Sequence, residues 1–188
     1  MSQTSYSRKK VAPIIASVVG ALLVAFLWVL VTAEPNTADD ADSPLLGQPA
    51  PSVVSTTLDD EEFVLANRKG SWVIFNFFNS TCVPCIAEHP ELVAFNEREL
   101  QATNPAEIYT VINDDNDASV RAFFAKNGGD WQKVRDTDGA ISVAFGVAKV
   151  PETWVIDPNG YVRLRIAGML TPGLLDDQLA QLKAQFGS

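Results

Sequence analysis

The sequence predicts an α/β domain, with a central mixed sheet flanked by helices, behind one N-terminal transmembrane helix. Three observations predict it. An uncharged apolar run stands near the N-terminus, apolar segments of strand length alternate with helical segments after it, and 47% of the chain is apolar against 20% charged. This composition suits a packed core, and 188 residues are enough for one domain with an appendage.

The first element is the apolar run, residues 11–33, which carries no charge over 23 positions. A helix of that length spans ~34 Å at ~1.5 Å per residue, enough for a bilayer core. Bases at 8–10 precede the run and acids follow it, so the positive-inside rule leaves residues 1–10 as a cytoplasmic tail and the body outside. A cleaved signal peptide ending at 31–33 is the alternative, and it sends the body to the same disulfide-permissive side.

Residues 34–46 form an acidic stretch rich in small residues, which predicts a flexible linker. The folded domain then covers 47–188. The net charge is −9, and all 23 acidic residues follow position 33. Such a body lacks the basic face that nucleic-acid binding requires, so we expect no nucleic-acid partner.

Within the domain, apolar runs bounded by turn-forming residues predict five strands. The run at 72–78 is apolar almost throughout, which suits a strand covered on both faces. The last two strands form a hairpin through a turn at 157–160. The predicted strands are 63–67, 72–78, 108–113, 153–157 and 161–168.

Three helices are predicted between and after these strands. The first covers 83–101 and places Ile86, His89 and Val93 on one stripe. Asp117 caps the second, and the third is an amphipathic helix that closes the chain at 172–186.

The only two cysteines of the chain, Cys82 and Cys85, stand with its only histidine, His89, at the start of the first helix. A Cys-x-x-Cys pair between a strand and a helix favours dithiol chemistry, because the helix N-terminus stabilises the thiolate of the first cysteine. Cys82 can attack a disulfide, and Cys85 can resolve the mixed disulfide that results. We therefore predict a redox-active disulfide.

Other interpretations of this cluster are weaker. A metal site would have only three ligands, so we predict neither a metal nor another cofactor. A structural disulfide would close too short a loop to stabilise the fold much. His89 shares its stripe with apolar residues, which favours a packed core histidine over a ligand or a general base.

The segment VIFNFFNSTCVPCIAEHPEL resembles the thioredoxin superfamily, and within it the membrane-anchored reductases of the CcmG/DsbE, ResA and TlpA type. The segment FGVAKVPETWVIDPNGYVRLRIAGMLT resembles the same group's G-V-x-G-x-P-E-T motif and its A-G-x-L-T ending. The resemblance covers residues 44–186 and implies a thioredoxin-like fold. In the group's strand and C-x-x-C-x-x-E-x-P motif, the matching residues are Asn76, Cys82, Cys85, Glu88 and Pro90.

The resemblance also implies roles for residues outside the cysteine pair. Pro151 matches the cis-proline that lies against the dithiol in thioredoxin folds, which leaves the backbone of Val150 free to pair with a partner peptide. Glu88, one turn past Cys85, would exchange protons with the dithiol, its pKa raised by desolvation. Glu152 would shape the partner groove.

Three positions carry information about the branch of the superfamily to which the chain belongs and about its partner. Thr81, beside the partner surface, stands where Trp usually precedes the first cysteine, which removes an aromatic platform. Lys149 stands where Gly is common. Asn76 occupies the position of the buried acid in general thioredoxins, which points to the specialised branch.

The implied function is a protein-disulfide reductase in the cell (inner) membrane, single-pass, with its catalytic domain on the periplasmic or extracytoplasmic side. Its substrate would be apocytochrome c, at the C-x-x-C-H haem-attachment site, and a membrane thiol donor of the CcdA/DsbD kind would restore the dithiol. The alternatives are a general TlpA-like reductase of other exported proteins and a metal or haem chaperone. A peroxidase of the peroxiredoxin kind is disfavoured, since such sites do not rest on a tight Cys-x-x-Cys.

Overall fold

The computed structural model describes residues 11–32, 39–40 and 42–187, which fall into two compact units with a boundary between residues 35 and 36. The first unit contains helix α1, Val11–Thr32, whose apolar side chains between positions 14 and 28 are exposed. Among the residues whose side chains are described, no helical stretch is both long and apolar enough to cross a membrane. The predicted cytoplasmic tail lies outside the described residues, as do positions 34–38 and 41 of the predicted linker.

The second unit is built on a central mixed sheet, as the sequence predicts, and this sheet has six strands. The strands lie in the order β1-β8-β7-β4-β5-β6. Strands β4, β5 and β6 are parallel, whereas β7, β8 and β1 join the other edge in antiparallel pairs. Their bounds are β1 Asp39–Asp40, β4 Val73–Phe78, β5 Glu107–Ile112, β6 Lys133–Arg135, β7 Glu152–Ile156 and β8 Val162–Ala167.

A separate hairpin, β2 and β3, packs beside this sheet. Strand β2 covers Val54–Thr56 and β3 covers Glu62–Val64, so the strand predicted at 63–67 ends early and continues as a 3₁₀ turn over Leu65–Arg68. Strands β2 and β6 have three residues each, too few to show a hydrophobic period.

Four helices belong to this unit, and three of them match the predicted ones. The unpredicted helix, α4, has six residues and lies between two glycines with positive φ, Gly139 and Gly146. The cap of α3 is Asn116, whose Oδ1 accepts from the Ser119 N–H at 2.9 Å, so the prediction of Asp117 as the cap is wrong by one residue. The helices are α2 Val83–Glu99, α3 Asp117–Asn127, α4 Ala140–Phe145 and α5 Leu174–Phe186.

Part of the segment predicted as a flexible linker is paired with the sheet. Asp39 pairs with Ala167 and Asp40 with Ile166, which makes β1 the outer neighbour of β8. The pairing is understandable because the free edge of β8 offers a row of unpaired N–H and C=O groups.

The two faces of the sheet carry separate apolar cores. Along β4, Ile74 and Phe78 pack towards α2, α3 and α5, while Phe75 and Phe77 pack towards α4 and the β2–β3 hairpin. Each fully buried phenylalanine contributes roughly 2 kcal/mol through burial of its apolar surface. Asn76 lies in the row of Ile74 and Phe78, so its amide points to the α2 face.

The buried face of α2 differs from the predicted stripe. Ile86 is 42% exposed and Val93 is only partly buried, so of the three predicted residues only His89 is fully buried. The error arises because the true face includes a charged residue, which a search for apolar periodicity discards. The buried residues of α2 are Cys85, Glu88, His89, Leu92 and Phe95.

Candidate active site at the start of helix α2

The site is organised by the N-terminus of α2, where Cys82 is the capping residue. Its Sγ accepts from the Cys85 N–H at 3.2 Å, and its own N–H donates to the Asn79 carbonyl at 3.1 Å. Pro84 stands in the first helical turn, where its missing N–H would have had no helical partner. The helix therefore begins at the reactive pair, with an N–H aimed at the sulfur of Cys82.

Cys82 and Cys85 form a disulfide, with their Cα atoms 5.2 Å apart. Cys85 is fully buried, whereas Cys82 is partly exposed. A partner can therefore reach the sulfur of Cys82 but not that of Cys85. This asymmetry agrees with attack by the first cysteine and resolution by the second.

The loop before β7 lies against this disulfide. The Val150–Pro151 peptide bond is cis, as the resemblance implies. The Val150 carbonyl oxygen is 3.6 Å from the Cys82 Sγ, and the buried Pro151 accepts from the Gly168 N–H at 3.0 Å. The structure thus brings Cys82, Val150 and Pro151 together, with Val150 partly open to solvent.

Glu88 lies on the buried face of α2, with 1% of its surface exposed. Its Oε1 accepts from the Asn76 Nδ2 at 2.8 Å, and its Oε2 accepts from the Leu170 N–H at 2.8 Å. Burial raises the pKa of Glu88 to about 7, against the two hydrogen bonds, which favour the carboxylate. No ion pair involves Glu88 within the part of the chain described.

Two partners of this network were missed in the sequence. The Asn76 Nδ2 also donates to the Thr153 Oγ1 at 3.1 Å, and Leu170 contributes its backbone N–H. Both lie in the segments that carry the family resemblance, Thr153 in P-E-T and Leu170 in the A-G-x-L-T ending. The signal was therefore present, but nothing in it tied these residues to Glu88.

His89 is a packed core residue, as predicted. It is 2% exposed, and its Nε2 lies 3.1 Å from the Gly128 carbonyl oxygen. Burial lowers its pKa, which keeps the ring neutral. In the described ranges no group of three or more His, Cys, Asp or Glu residues is placed to hold a metal ion. The rings around His89 are Phe78, Phe123, Phe124 and Trp131.

The side chain of Glu152 lies on the α4 face of the sheet, opposite the face of Glu88, and its role in shaping the partner groove stays a prediction. Residues of β7 alternate between faces, and Trp154 packs in the α4 core, so the neighbouring even position, Glu152, faces α4 as well. The Arg165 Nε and Nη2 donate to its two oxygens at 2.9 and 3.0 Å, and the Trp154 Nε1 donates at 2.8 Å. This hydrogen bonding raises the pKa of Arg165.

Thr81 is exposed directly beside Cys82. Its N–H and its hydroxyl both donate to the Asn79 Oδ1, at 2.8 and 2.7 Å. The Asn79 Nδ2 in turn donates to the carbonyls of Asn113 and Asp114 at 3.0 and 2.8 Å. A polar turn therefore holds the loop that presents Cys82.

The sequence matches the AhpC/TSA family over residues 46–165. It is 32% identical over 154 residues to the thiol:disulfide interchange protein HelX of Rhodobacter capsulatus, which covers 80% of this chain and 82% of HelX. It is also 28% identical to the DsbE protein of Pseudomonas aeruginosa, over 89% of this chain and 88% of DsbE. It is 28% identical to the thiol-disulfide oxidoreductase ResA of Bacillus subtilis, over 73% of this chain and 75% of ResA.

Solved structures share the fold. A thioredoxin-family thiol:disulfide interchange protein of Chlorobium tepidum superposes with a TM-score of 0.64 at 24% identity, over 75% of this chain and 98% of the other. A secreted disulfide oxidoreductase of Mycobacterium tuberculosis superposes with a TM-score of 0.58 at 20% identity, over 71% and 95%. At such identities the likeness establishes a thioredoxin-like α/β fold.

Proposed function

The chain belongs to the AhpC/TSA family and is a thiol–disulfide oxidoreductase, and on that premise we propose that it reduces the disulfide of apocytochrome c at the C-x-x-C-H haem-attachment site. The proposal combines a direction of electron flow, a substrate and a compartment. The contacts of Glu88 support the direction, and the relatives named as interchange proteins support the class of substrate, a protein disulfide.

The reaction begins with the dithiol form. Cys82 loses its proton to the solvent, and its thiolate attacks one sulfur of the substrate disulfide. The other substrate sulfur leaves as a thiolate, which takes up a proton from the solvent. Cys85 then gives its proton to the Glu88 carboxylate and attacks the Cys82 Sγ. The second substrate thiolate leaves and receives the proton from Glu88. Two electrons and two protons have passed to the substrate, and the Cys82–Cys85 disulfide has formed.

The observation that carries the direction is the buried carboxylate without a cation beside it. A dithiol is strongly oxidising when its reduced, thiolate form is stabilised by its surroundings. Glu88 does the reverse, because its negative charge at low dielectric opposes a second anion nearby. The dithiol is therefore a good electron donor, which suits a reductase rather than an oxidase.

Partner recognition is assigned to the exposed side of the disulfide. The backbone at Val150, beside cis-Pro151, would pair with an extended substrate segment, and Thr81 would line the other side of Cys82. Regeneration requires an external donor, since the chain carries two cysteines and both form the disulfide. A membrane thiol donor of the CcdA/DsbD kind fits an extracytoplasmic site.

We place the catalytic domain outside the cytoplasm, held in the inner membrane by the segment 11–33. The support is the charge asymmetry across that uncharged run, with bases before it and acids after it. Protease added to spheroplasts should digest the domain, and mass spectrometry should find the N-terminal segment retained. A mature chain that begins near Glu34 would replace the anchor with a cleaved signal peptide.

Substrate class is tested by following reduction of an oxidised C-x-x-C-H peptide and of insulin by the reduced protein. The proposal expects faster reduction of the C-x-x-C-H peptide, and a Cys85→Ala variant should trap apocytochrome c through Cys82 in cells. Equal rates with both substrates, and trapping of many exported proteins, would support the general TlpA-like reductase instead. Stoichiometric metal in the reduced protein, without disulfide reduction, would support a chaperone.

A further inference from the structure

The amide of Asn76 is buried between two groups that can each donate or accept a hydrogen bond. Asn76 is 0% exposed, and its Nδ2 donates both of its hydrogens, to the Glu88 carboxylate and to the Thr153 hydroxyl oxygen. Its Oδ1 is buried and has no hydrogen-bond partner among the described residues. A buried amide oxygen without a donor is costly, so the amide of Asn76 is only partly satisfied in this arrangement.

We propose that Asn76 is a positioning residue that follows the proton of Glu88, donating from Nδ2 to the carboxylate and turning to accept at Oδ1 when Glu88 is protonated. Thr153 supports both arrangements, because its hydroxyl can accept from Nδ2 or donate to Oδ1. The inference rests on the proposed role of Glu88 as the proton acceptor of Cys85.

The need for the turn follows from the chemistry of the carboxyl group. A carboxylate only accepts hydrogen bonds, whereas a protonated carboxyl group also donates one. The Leu170 N–H occupies one Glu88 oxygen, and the Asn76 Nδ2 faces the other. A proton on that second oxygen would point at a donor. Rotation of the amide by half a turn about its Cβ–Cγ bond replaces the donor with an acceptor.

The two arrangements are balanced closely enough for one proton to choose between them. In the first, Oδ1 has no partner, and in the second Nδ2 would take that place. Each therefore leaves one end of the amide unpaired. When Glu88 is ionised, the first arrangement is favoured by the charge-assisted hydrogen bond from Nδ2 to the carboxylate. When Glu88 is protonated, the second is favoured because Oδ1 accepts from the carboxyl group and from the Thr153 hydroxyl.

Few other titratable groups lie close enough to Asn76 to turn its amide. On α2 the neighbours are Cys85, whose sulfur does not titrate in the disulfide, and His89, whose ring is enclosed by aromatic side chains. Thr110 on β5 and Thr153 on β7 flank Asn76 in the sheet and carry no charge. On the segment before α5 and on α5 itself, the facing residues are Leu170, Leu175 and Leu179. Glu91 is bound by Arg98 and by the Gly173 N–H, and Arg98 also binds Asp176 of α5.

The test uses the full chain, oxidised, with ¹³C in the side chains of Asn and Glu, followed by NMR from pH 5 to pH 9. The Glu88 carboxyl carbon should titrate with a midpoint near pH 7, and the Asn76 Cγ should move downfield as pH falls through the same midpoint, because its oxygen gains two donors. In Glu88→Gln the Asn76 Cγ should not respond to pH.

The outcomes separate this inference from the proposed function. If Glu88 titrates and the Asn76 Cγ stays constant, the amide is a fixed donor and the inference fails, while the role of Glu88 survives. If Glu88 does not titrate in this range, its proposed role fails first. Both readings come from the unsubstituted protein, so they do not depend on a variant that folds.

A second measurement compares Asn76→Ala with Asn76→Leu, which nearly fills the volume of the amide. If the amide binds both protonation states of Glu88, its removal should leave the titration midpoint of Glu88 within about 0.3 pH unit of the parent's. A fixed donor stabilises only the carboxylate, so its removal should raise the midpoint by about one pH unit. A rise of that size in the variants would overturn the proposal.

Discussion

Two glutamates lie equally deep on opposite faces of the sheet, in opposite surroundings. Glu88 and Glu152 are each 1% exposed. On the α4 face, Glu152 receives two N–H bonds from the Arg165 guanidinium. On the α2 face, Glu88 receives only neutral donors, from Asn76 and Leu170.

The difference shows that burial alone does not make a carboxyl group reactive. Removing a charge from water is expensive, and a hydrogen-bonded cation offsets much of that cost. Glu152 has such a cation and acts as part of the structure. Glu88 lacks one, and burial raises its pKa to about 7, as the proposed proton exchange with Cys85 requires.

The largest expected effect comes from removing the cation of Glu152. Arg165→Met keeps much of the aliphatic stem and leaves a buried charge unpaired, so the free energy of unfolding should fall by about 4 kcal/mol, measured by urea unfolding. Adding Glu152→Gln should recover part of the loss. Arg121→Met is the control, because it removes an exposed ion pair with Asp59 and one hydrogen bond to the Leu58 carbonyl, and it should cost less. A loss no larger than the control's would remove the contrast between the two glutamates.

The next effect is the pH dependence of stability that Glu88 imposes. Its pKa is about 7 in the folded protein against an ordinary value of 4.5, so the unfolded chain releases this proton more readily. The stabilising contribution is complete below pH 4.5 and is lost as pH rises through 7, a decline of about 3 kcal/mol. Urea unfolding between pH 4.5 and pH 8 should show this decline in the parent but not in Glu88→Gln.

Glu97→Gln is the matched control for that experiment, because Glu97 is an exposed residue of the same helix. Its stability should follow the parent's at every pH. If Glu88→Gln and the parent have parallel profiles, the carboxyl group of Glu88 titrates normally and does not differ from a surface acid.

The smallest expected effect concerns the other donor to Glu152, the Trp154 indole, and tests whether the charge of the carboxylate strengthens that hydrogen bond. Trp154→Phe removes the Nε1 donor to the carboxylate while keeping a ring, and should cost about 1.5 kcal/mol in the free energy of unfolding. Trp131→Phe removes a similar bond to the neutral Thr110 hydroxyl, at 2.9 Å, and should cost less. Equal losses by thermal or urea unfolding would show that the carboxylate adds nothing to this bond.

The sequence predicted the central elements because their signals are strong and local. The run around Phe75 is apolar on both faces, and the turn at 157–160 interrupts two clear strands, so the middle of the sheet was identified. Helix α4 was missed because six residues between two glycines carry less than two helical turns of pattern. The cap at Asn116 was missed because Asp117 beside it is an equally good capping type.

The cysteine pair and the cis-proline could be predicted because chemistry and spacing coincide there, whereas the side of the sheet that a residue of β7 faces could not. Cys82, Cys85 and Pro151 follow from the motifs. The face taken by Glu152 does not, because β7 is buried on both sides and its sequence shows no alternation of polar and apolar residues. The link between Glu88 and Thr153 joins positions 65 residues apart, and no local pattern contains it.

Adjacent positions of β7 belong to different networks, which has a consequence for how related sequences diverge. Glu152 depends on Arg165, whereas its neighbour Thr153 depends on Asn76 and, through it, on Glu88. Co-variation should therefore couple Glu152 with Arg165 and Thr153 with Asn76, and should be weak between the two neighbours themselves. The P-E-T motif therefore contains two independent positions, and each is expected to change together with its own distant partner.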